Sequence, residues 1–200
     1  DAQSLNITYS WTNGINTLGT NQPLALSAQT AVPGDTLRCT ATVTDSSGGS
    51  DTRYGELILT NRNPVVTTPT LTYSSPHLGS TLTCNATGSD VDNDSVTVSY
   101  AWYINSVSGA AVHTGTALEL LASGTPSSGQ VVAEVGDDIV CVATATDAYG
   151  ATDTKESEVA ILNVNPSISS VSMTPTTAYN TSTMTCTVVA SDPDAQSLAT

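Results

Sequence analysis

The chain has 200 residues and a formal net charge of −14, from 4 basic and 18 acidic residues. This balance excludes nucleic-acid binding and docking to anionic membranes through basic patches, because both depend on clustered Lys and Arg. No apolar run approaches the roughly 18 residues that span a bilayer, so direct membrane insertion is not expected. Phe is absent and charged residues make up only 11%, which predicts a β-protein with a small aliphatic core beneath a Thr- and Ser-rich surface.

A repeat with a period of 102 residues organises the chain. A tetrapeptide of the form Asn-x-Asn-Pro ends at Pro64 and again at Pro166. The cysteines follow the same spacing, from Cys39 to Cys141 and from Cys84 to Cys186. Self-similarity at a fixed period predicts a tandem array of small domains.

The repeat divides the chain into three parts. We expect residues 1–63 to be a domain that lacks its first two strands, 64–163 to be complete, and 164–200 to hold the first two strands of a further domain. The sequence Asp-Ala-Gln-Ser-Leu occurs both at 1–5 and at 194–198. Two explanations stay open: a segment of a longer array, or a protomer whose C-terminal strands complete the N-terminal domain of a neighbour. The expected partners are accordingly copies of itself or adjacent domains of a longer chain.

Alternation of apolar and polar residues predicts the strands of the complete domain. On residues 80–86 it places Leu82 and Cys84 on one face, and on 138–146 it places Ile139 and Cys141 on one face. Gly and Pro separate the segments. The predicted strands are 64–73, 80–86, 95–104, 118–121, 138–146 and 152–162.

The order Cys84, Trp102, Cys141 resembles the immunoglobulin fold, in which a Trp packs on a disulfide between facing strands. Residues 140–153, Val-Cys-Val-Ala-Thr-Ala-Thr-Asp-Ala-Tyr-Gly-Ala-Thr-Asp, look like the closing strands of bacterial extracellular Ig-like tandem repeats, including PKD- and cadherin-like surface repeats. The resemblance implies tandem β-sandwich domains arranged as a rod. It also implies a disulfide between Cys84 and Cys141, with partners for Cys39 and Cys186 outside the chain or in a neighbouring copy. An oxidising, extracellular or cell-surface location follows from the disulfide.

Acidic residues cluster after the strand that carries Cys84. Oxygen donors at alternate positions suit Ca²⁺, which takes six to eight oxygens. The same residues suit a turn in which carboxylates accept hydrogen bonds from their own backbone, without an ion. The candidate ligands are Asp90, Asp92 and Asp94, together with Asp147 and Asp153 from the loops expected at the same end of the domain.

No catalytic motif is found in the sequence. The chain has 2 His and lacks G-x-S-x-G, P-loop and H-E-x-x-H patterns, so we do not expect an enzyme. Four sites match the N-glycosylation pattern: Asn6, Asn85, Asn93 and Asn180.

These observations favour a structural role as a segment of an extracellular bacterial filament or stalk. The short linkers that contain Pro are expected to be semi-rigid. The first alternative is an adhesin or carbohydrate-binding module that contacts a glycan or surface receptor through the loop at residues 124–129. A further alternative is a non-catalytic appendage of a secreted hydrolase.

Overall fold

The computed structural model describes residues 4–27 and 30–195, and all regular elements in these ranges are β-strands. The prediction of an all-β chain is confirmed. Within the same ranges there is no helix with the length and apolar character needed to cross a membrane. In chain order the first eight strands are β1 (Asn6–Thr12), β2 (Thr17–Gly19), β3 (Thr36–Thr44), β4 (Ser50–Ile58), β5 (Val65–Val66), β6 (Thr70–Thr72), β7 (Thr81–Asn85) and β8 (Gly88–Ser89). The remaining strands are β9 (Thr97–Ile104), β10 (His113–Thr114), β11 (Ala117–Leu121), β12 (Gln130–Val132), β13 (Asp138–Thr146), β14 (Thr152–Ala160), β15 (Ser167–Thr174) and β16 (Thr185–Ser191).

The chain divides into two compact units. The described residues of the first unit come from Asp1–Pro64, Ser89–Val96 and Thr146–Ala151, and those of the second from the rest of the chain. Asn61 and Arg62 form hydrogen bonds with the turns at 89–96 and 146–151, which are part of the first unit.

The first unit contains one antiparallel sheet with the strand order β2-β1-β3-β4. Trp11 on β1 lies opposite Cys39 on β3. One face of the sheet is polar: the Arg38 guanidinium lies 4.3 Å from the centre of the Tyr54 ring, and its Nε donates to Glu56 at 2.7 Å. Because paired residues share a face, the opposite face is mainly apolar, with Leu37 and Cys39, and it carries the Asp51–Arg53 ion pair on its edge strand β4.

The second unit contains two four-stranded sheets, ordered β10-β9-β13-β14 and β12-β11-β7-β6. Cys84 on β7 and Cys141 on β13 form a disulfide that joins them, with Cα atoms 6.5 Å apart. A core of ten buried residues fills the space between the sheets, and Trp102 and Ile139 are both 0% exposed. Burial of this apolar area is the main stabilising contribution, at about 25 cal/mol per Å².

Two polar groups of this core are satisfied by the backbone. The Trp102 indole donates from Nε1 to the Gly115 carbonyl at 2.8 Å. The Tyr100 hydroxyl donates to the Ala86 carbonyl and accepts from the Ala86 N–H, at 3.2 and 2.9 Å. Trp102 is therefore buried, and Tyr100 half-buried against the core, without an unpaired donor.

The predicted first strand, 64–73, is divided in the structure into β5 and β6. Pro69 lies between them and has no N–H to donate to a sheet. Strand β5 pairs with β8 in a separate two-stranded sheet, whereas β6 pairs with β7. The other five predicted strands coincide with β7, β9, β11, β13 and β14 to within a few residues.

The hairpin of β15 and β16 forms a two-stranded sheet. Its register repeats that of β6 and β7. Leu71 lies opposite Cys84 in the earlier pair, and Met173, 102 residues later, lies opposite Cys186.

Candidate functional site

An acidic turn follows β8 in the first unit. One carboxylate oxygen from each of Asp90, Asp92 and Asp94 lies within 4.8 Å of the others. The structure therefore brings together three of the five aspartates that the sequence singled out. The backbone closes the turn, with the Asp92 N–H donating to Asp90 Oδ1 at 2.6 Å and Asn93 adopting a positive φ of 60°.

Arg62 lies in the linker, residues 61–64, and binds this turn through contacts that we call the linker clamp. Its backbone N–H donates to Asp92 Oδ2 at 2.9 Å, and its guanidinium bonds to Oδ1 from Nε at 2.9 Å and from Nη2 at 2.5 Å. These bonds hold the pKa of Asp92 below its usual range, the side-chain hydrogen bond being the largest cause. Both Asp92 oxygens are therefore occupied by Arg62.

Asn61 connects the linker to a second turn. Its Nδ2 donates to Asp147 Oδ2 at 2.7 Å. Asp147 is 7% exposed, and its Oδ1 accepts from the N–H groups of Tyr149 and Ala151 at 2.8 and 2.9 Å. Burial opposes ionisation of Asp147, but the bonds from Asn61 and the backbone outweigh it and lower its pKa.

Three oxygens beside these clamps have no hydrogen-bond donor among the described residues. They are Asn61 Oδ1, Asp90 Oδ2 and Asp94 Oδ2, and each is buried from solvent. The pKa of Asp94 is raised, first by burial and then by the charges of Asp90, Asp92 and Asp147. Buried oxygens without donors are electron-rich groups that a cation would satisfy.

Asp153 has a different role. Its Oδ2 accepts from the Val66 N–H at 2.9 Å, so it fixes β5 within the second unit. It is not a member of the group formed by Asp90, Asp92 and Asp94.

The linker clamp recurs 102 residues later in the chain. Val164 occupies the position of Arg62, and its N–H donates to Asp194 Oδ2 at 2.6 Å. The Asp194 N–H donates to Asp192 Oδ1 at 2.8 Å, as in the earlier turn. Because Val164 has no guanidinium, Asp194 Oδ1 is buried without a donor from the described residues.

The other candidate residues lie apart from these turns, except Asn93, which is part of the acidic turn. Cys39 is half-buried and Cys186 is exposed, and neither forms a disulfide within the described chain. The four glycosylation candidates, Asn6, Asn85, Asn93 and Asn180, are all exposed.

Sequence reasoning did not identify the side chains of Asn61 and Arg62 as partners of the two turns. The recurrence of Asn-x-Asn-Pro and of an Asp-x-Asp turn at one spacing was the available signal. No known family model matches the chain, and a search of curated proteins finds no match to it.

Proposed function

We propose that the chain is a non-catalytic structural segment of an extracellular filament or stalk, built from tandem Ig-like domains of the bacterial surface type. The observation that carries this proposal is the repeated linker clamp. In both copies the residue after the first Asn of the linker donates its backbone N–H to the second Asp of the following turn. Recurrence of one contact at the repeat spacing is what a tandem structural array predicts.

The disulfide supports the same role. Cys84 and Cys141 are 57 residues apart, and closing a loop of this length stabilises the domain by about 4 kcal/mol in the chain-entropy model. A stalk exposed outside the cell benefits from such a cross-link, since disulfides persist in oxidising environments. Neighbouring domains or copies of the chain are the partners in this proposal.

Hydrogen–deuterium exchange tests the clamp. The Arg62 amide, which donates to Asp92, should be protected in the wild type and should exchange faster in Asp92→Ala, while the amides of the core strands keep their protection. Asp45→Ala is the matched control, because Asp45 accepts turn N–H bonds from Ser47 and Gly49 away from any linker. Equal exchange at Arg62 in the wild type and Asp92→Ala would remove the support for the repeated clamp.

Calcium is the ion that we propose for the acidic turn. Asn61 Oδ1, Asp90 Oδ2 and Asp94 Oδ2 offer hard oxygens without competing donors from the described residues, which suits Ca²⁺. The bound ion would neutralise charge at the turn, and Asn61 would carry that effect into the linker. Arg62 already occupies both carboxylate oxygens of Asp92, so Asp92 is not needed as a calcium ligand.

The adhesin is the second candidate function. A groove of about 490 Å³ in the first unit combines apolar residues such as Leu26 and Leu57 with Arg62 and Asp92, and could hold a small glycan. The loop at 124–129 is held in place by Gln130, which accepts from the Ser127 N–H and donates to Glu119. Saturable binding on a glycan array that is lost in Arg62→Ala would favour the adhesin over the spacer.

A further inference from the structure

The hairpin of β15 and β16 repeats the outer ladder of the complete domain. Every residue pair of β6 and β7 has a counterpart 102 positions on in β15 and β16, in the same register. Thr70 opposite Asn85 becomes Ser172 opposite Thr187, and Thr72 opposite Thr83 becomes Thr174 opposite Thr185. The hairpin is therefore formed in the geometry that a complete sandwich uses.

The two ladders differ in what covers them. Leu82 and Cys84 on β7 are 0% and 2% exposed, because the sheet that carries Trp102 packs on them. The equivalent Met184 is 43% exposed, and Cys186 is exposed. Val188, which continues this face, is 50% exposed.

The sheet of the first unit matches one sheet of the complete domain in strand order but is more exposed. Its strand order, β2-β1-β3-β4, repeats the order β10-β9-β13-β14 of the complete domain. Trp11 even repeats the indole bond of Trp102, donating from Nε1 to the Asn21 carbonyl at 3.0 Å. Yet Cys39 is half-buried where Cys141 is 0% exposed, and Ile7 at the end of the same face is 54% exposed.

One strand of the complete domain has no counterpart among the described residues of the first unit. In the complete domain β11 pairs with β7 and with β12, and its Leu118 and Leu120 are 0% exposed. The corresponding Leu24 and Leu26 form no strand, and Leu26 is 45% exposed. A strand cannot form there without a β7-like neighbour to bond.

We infer that the β15–β16 hairpin of one copy docks on the apolar face of the β2-β1-β3-β4 sheet of a second copy, and that Cys186 of the first then bonds to Cys39 of the second. This goes beyond the proposed spacer role, since it names the contact and both surfaces. The polar face carrying Arg38, Tyr54 and Glu56 stays in solvent. Because donor and acceptor surfaces differ, the contact is head-to-tail and can propagate into a filament.

The covalent step is a thiol–disulfide exchange with a small-molecule disulfide such as oxidised glutathione. Two protein thiols form one S–S bond, and the reagent takes two electrons and two protons as two glutathione thiols. Docking must come first, because bridged Cα atoms lie about 4.4–6.8 Å apart. The Cys84–Cys141 pair, at 6.5 Å, shows that the fold provides this spacing.

A mixing experiment tests the disulfide. Cys39→Ser and Cys186→Ser chains, one of them isotope-labelled, are combined with oxidised glutathione and analysed unreduced by mass spectrometry. The expected product is a single dimer linking Cys186 to Cys39, while wild type alone gives a ladder of multimers. Links between two Cys186 residues, a link within one wild-type chain, or no link would each overturn the inference.

Sedimentation under reducing conditions tests docking without the disulfide. Met184→Glu places a charge on the docking face and should weaken self-association at least about tenfold, since burying an unpaired charge is costly. Thr185→Glu is the matched control, because Thr185 points to the opposite face of β16, and it should change association less than about twofold. A wild type that stays monomeric at every concentration, or equal effects of the two variants, would refute docking.

Discussion

Removal of the Cys84–Cys141 disulfide should lower the stability of the second unit by a large amount. The bridge spans 57 residues, and the chain-entropy relation gives about 4 kcal/mol for a loop of that length at 25 °C. For a domain of about 100 residues, 1 kcal/mol corresponds to roughly 4–8 °C in Tm. The Cys84→Ala/Cys141→Ala variant should therefore melt at least about 15 °C below the wild type.

Thermal unfolding followed by circular dichroism and calorimetry measures this effect. Replacing both cysteines avoids an unpaired thiol in a site that is 0–2% exposed. The matched control is Cys39→Ala/Cys186→Ala, which removes the same number of sulfurs from residues without a disulfide in the described chain. A control that melts as low as the test variant, or a test variant within about 3 °C of the wild type, would refute the loop-entropy reasoning.

Three further predictions concern the acidic turn and the core. The pKa of Asp92 is lowered, so its pairing with Arg62 stabilises the fold above the ordinary Asp pKa, and this stabilisation is lost as pH falls through the lowered value. In an acid titration, Arg62→Gln should therefore lose less unfolding free energy over that pH window than the wild type. Parallel curves for the two proteins would contradict this. The pKa of Asp94 is raised, so its effect on stability has the opposite pH dependence: ionisation of Asp94 costs stability as pH rises. In chelator at neutral pH, Asp94→Asn should therefore have a higher Tm than the wild type, whereas millimolar calcium should raise the Tm of the wild type only. Identical responses of the two proteins to calcium would reject the ion. Leu82→Ala should lower the free energy of unfolding, measured in urea, by about 2–5 kcal/mol. Met184→Ala in dilute, reduced protein should change it by less than about 0.5 kcal/mol. Equal losses would mean that Met184 is already covered within one chain.

Strand positions in the complete domain could be predicted because alternation reports directly which residues face a core. Ile139 and Cys141 were expected on one face, and both are 0% exposed, as are Ala143 and Ala145, which continue that face. The division of the first strand could be anticipated only from Pro69. Alternation of apolar and polar residues is a local property of the sequence, so it predicted most of the strands.

The contacts of the acidic turn could not be predicted at the same level. Asn61 reaches Asp147 across 86 residues, and Arg62 reaches Asp92 across 30. The residues next to Asn61 and Arg62 in the sequence do not indicate these distant partners. Asp153 illustrates the same point, because its bond to Val66 depends on where β5 lies.

The shared register of the β6–β7 and β15–β16 ladders creates a competition during folding. Both hairpins present a cysteine at the same place, and Leu82 is replaced by Met184, a swap that cores tolerate well. Shape alone therefore discriminates poorly between the two hairpins for the sheet that carries Cys141. Tethering decides instead: β6 and β7 lie within the same domain as that sheet, and a short connection gives an effective concentration in the millimolar range. Crowding of many copies would erode this advantage, so swapped pairings should accumulate as protein concentration rises during refolding.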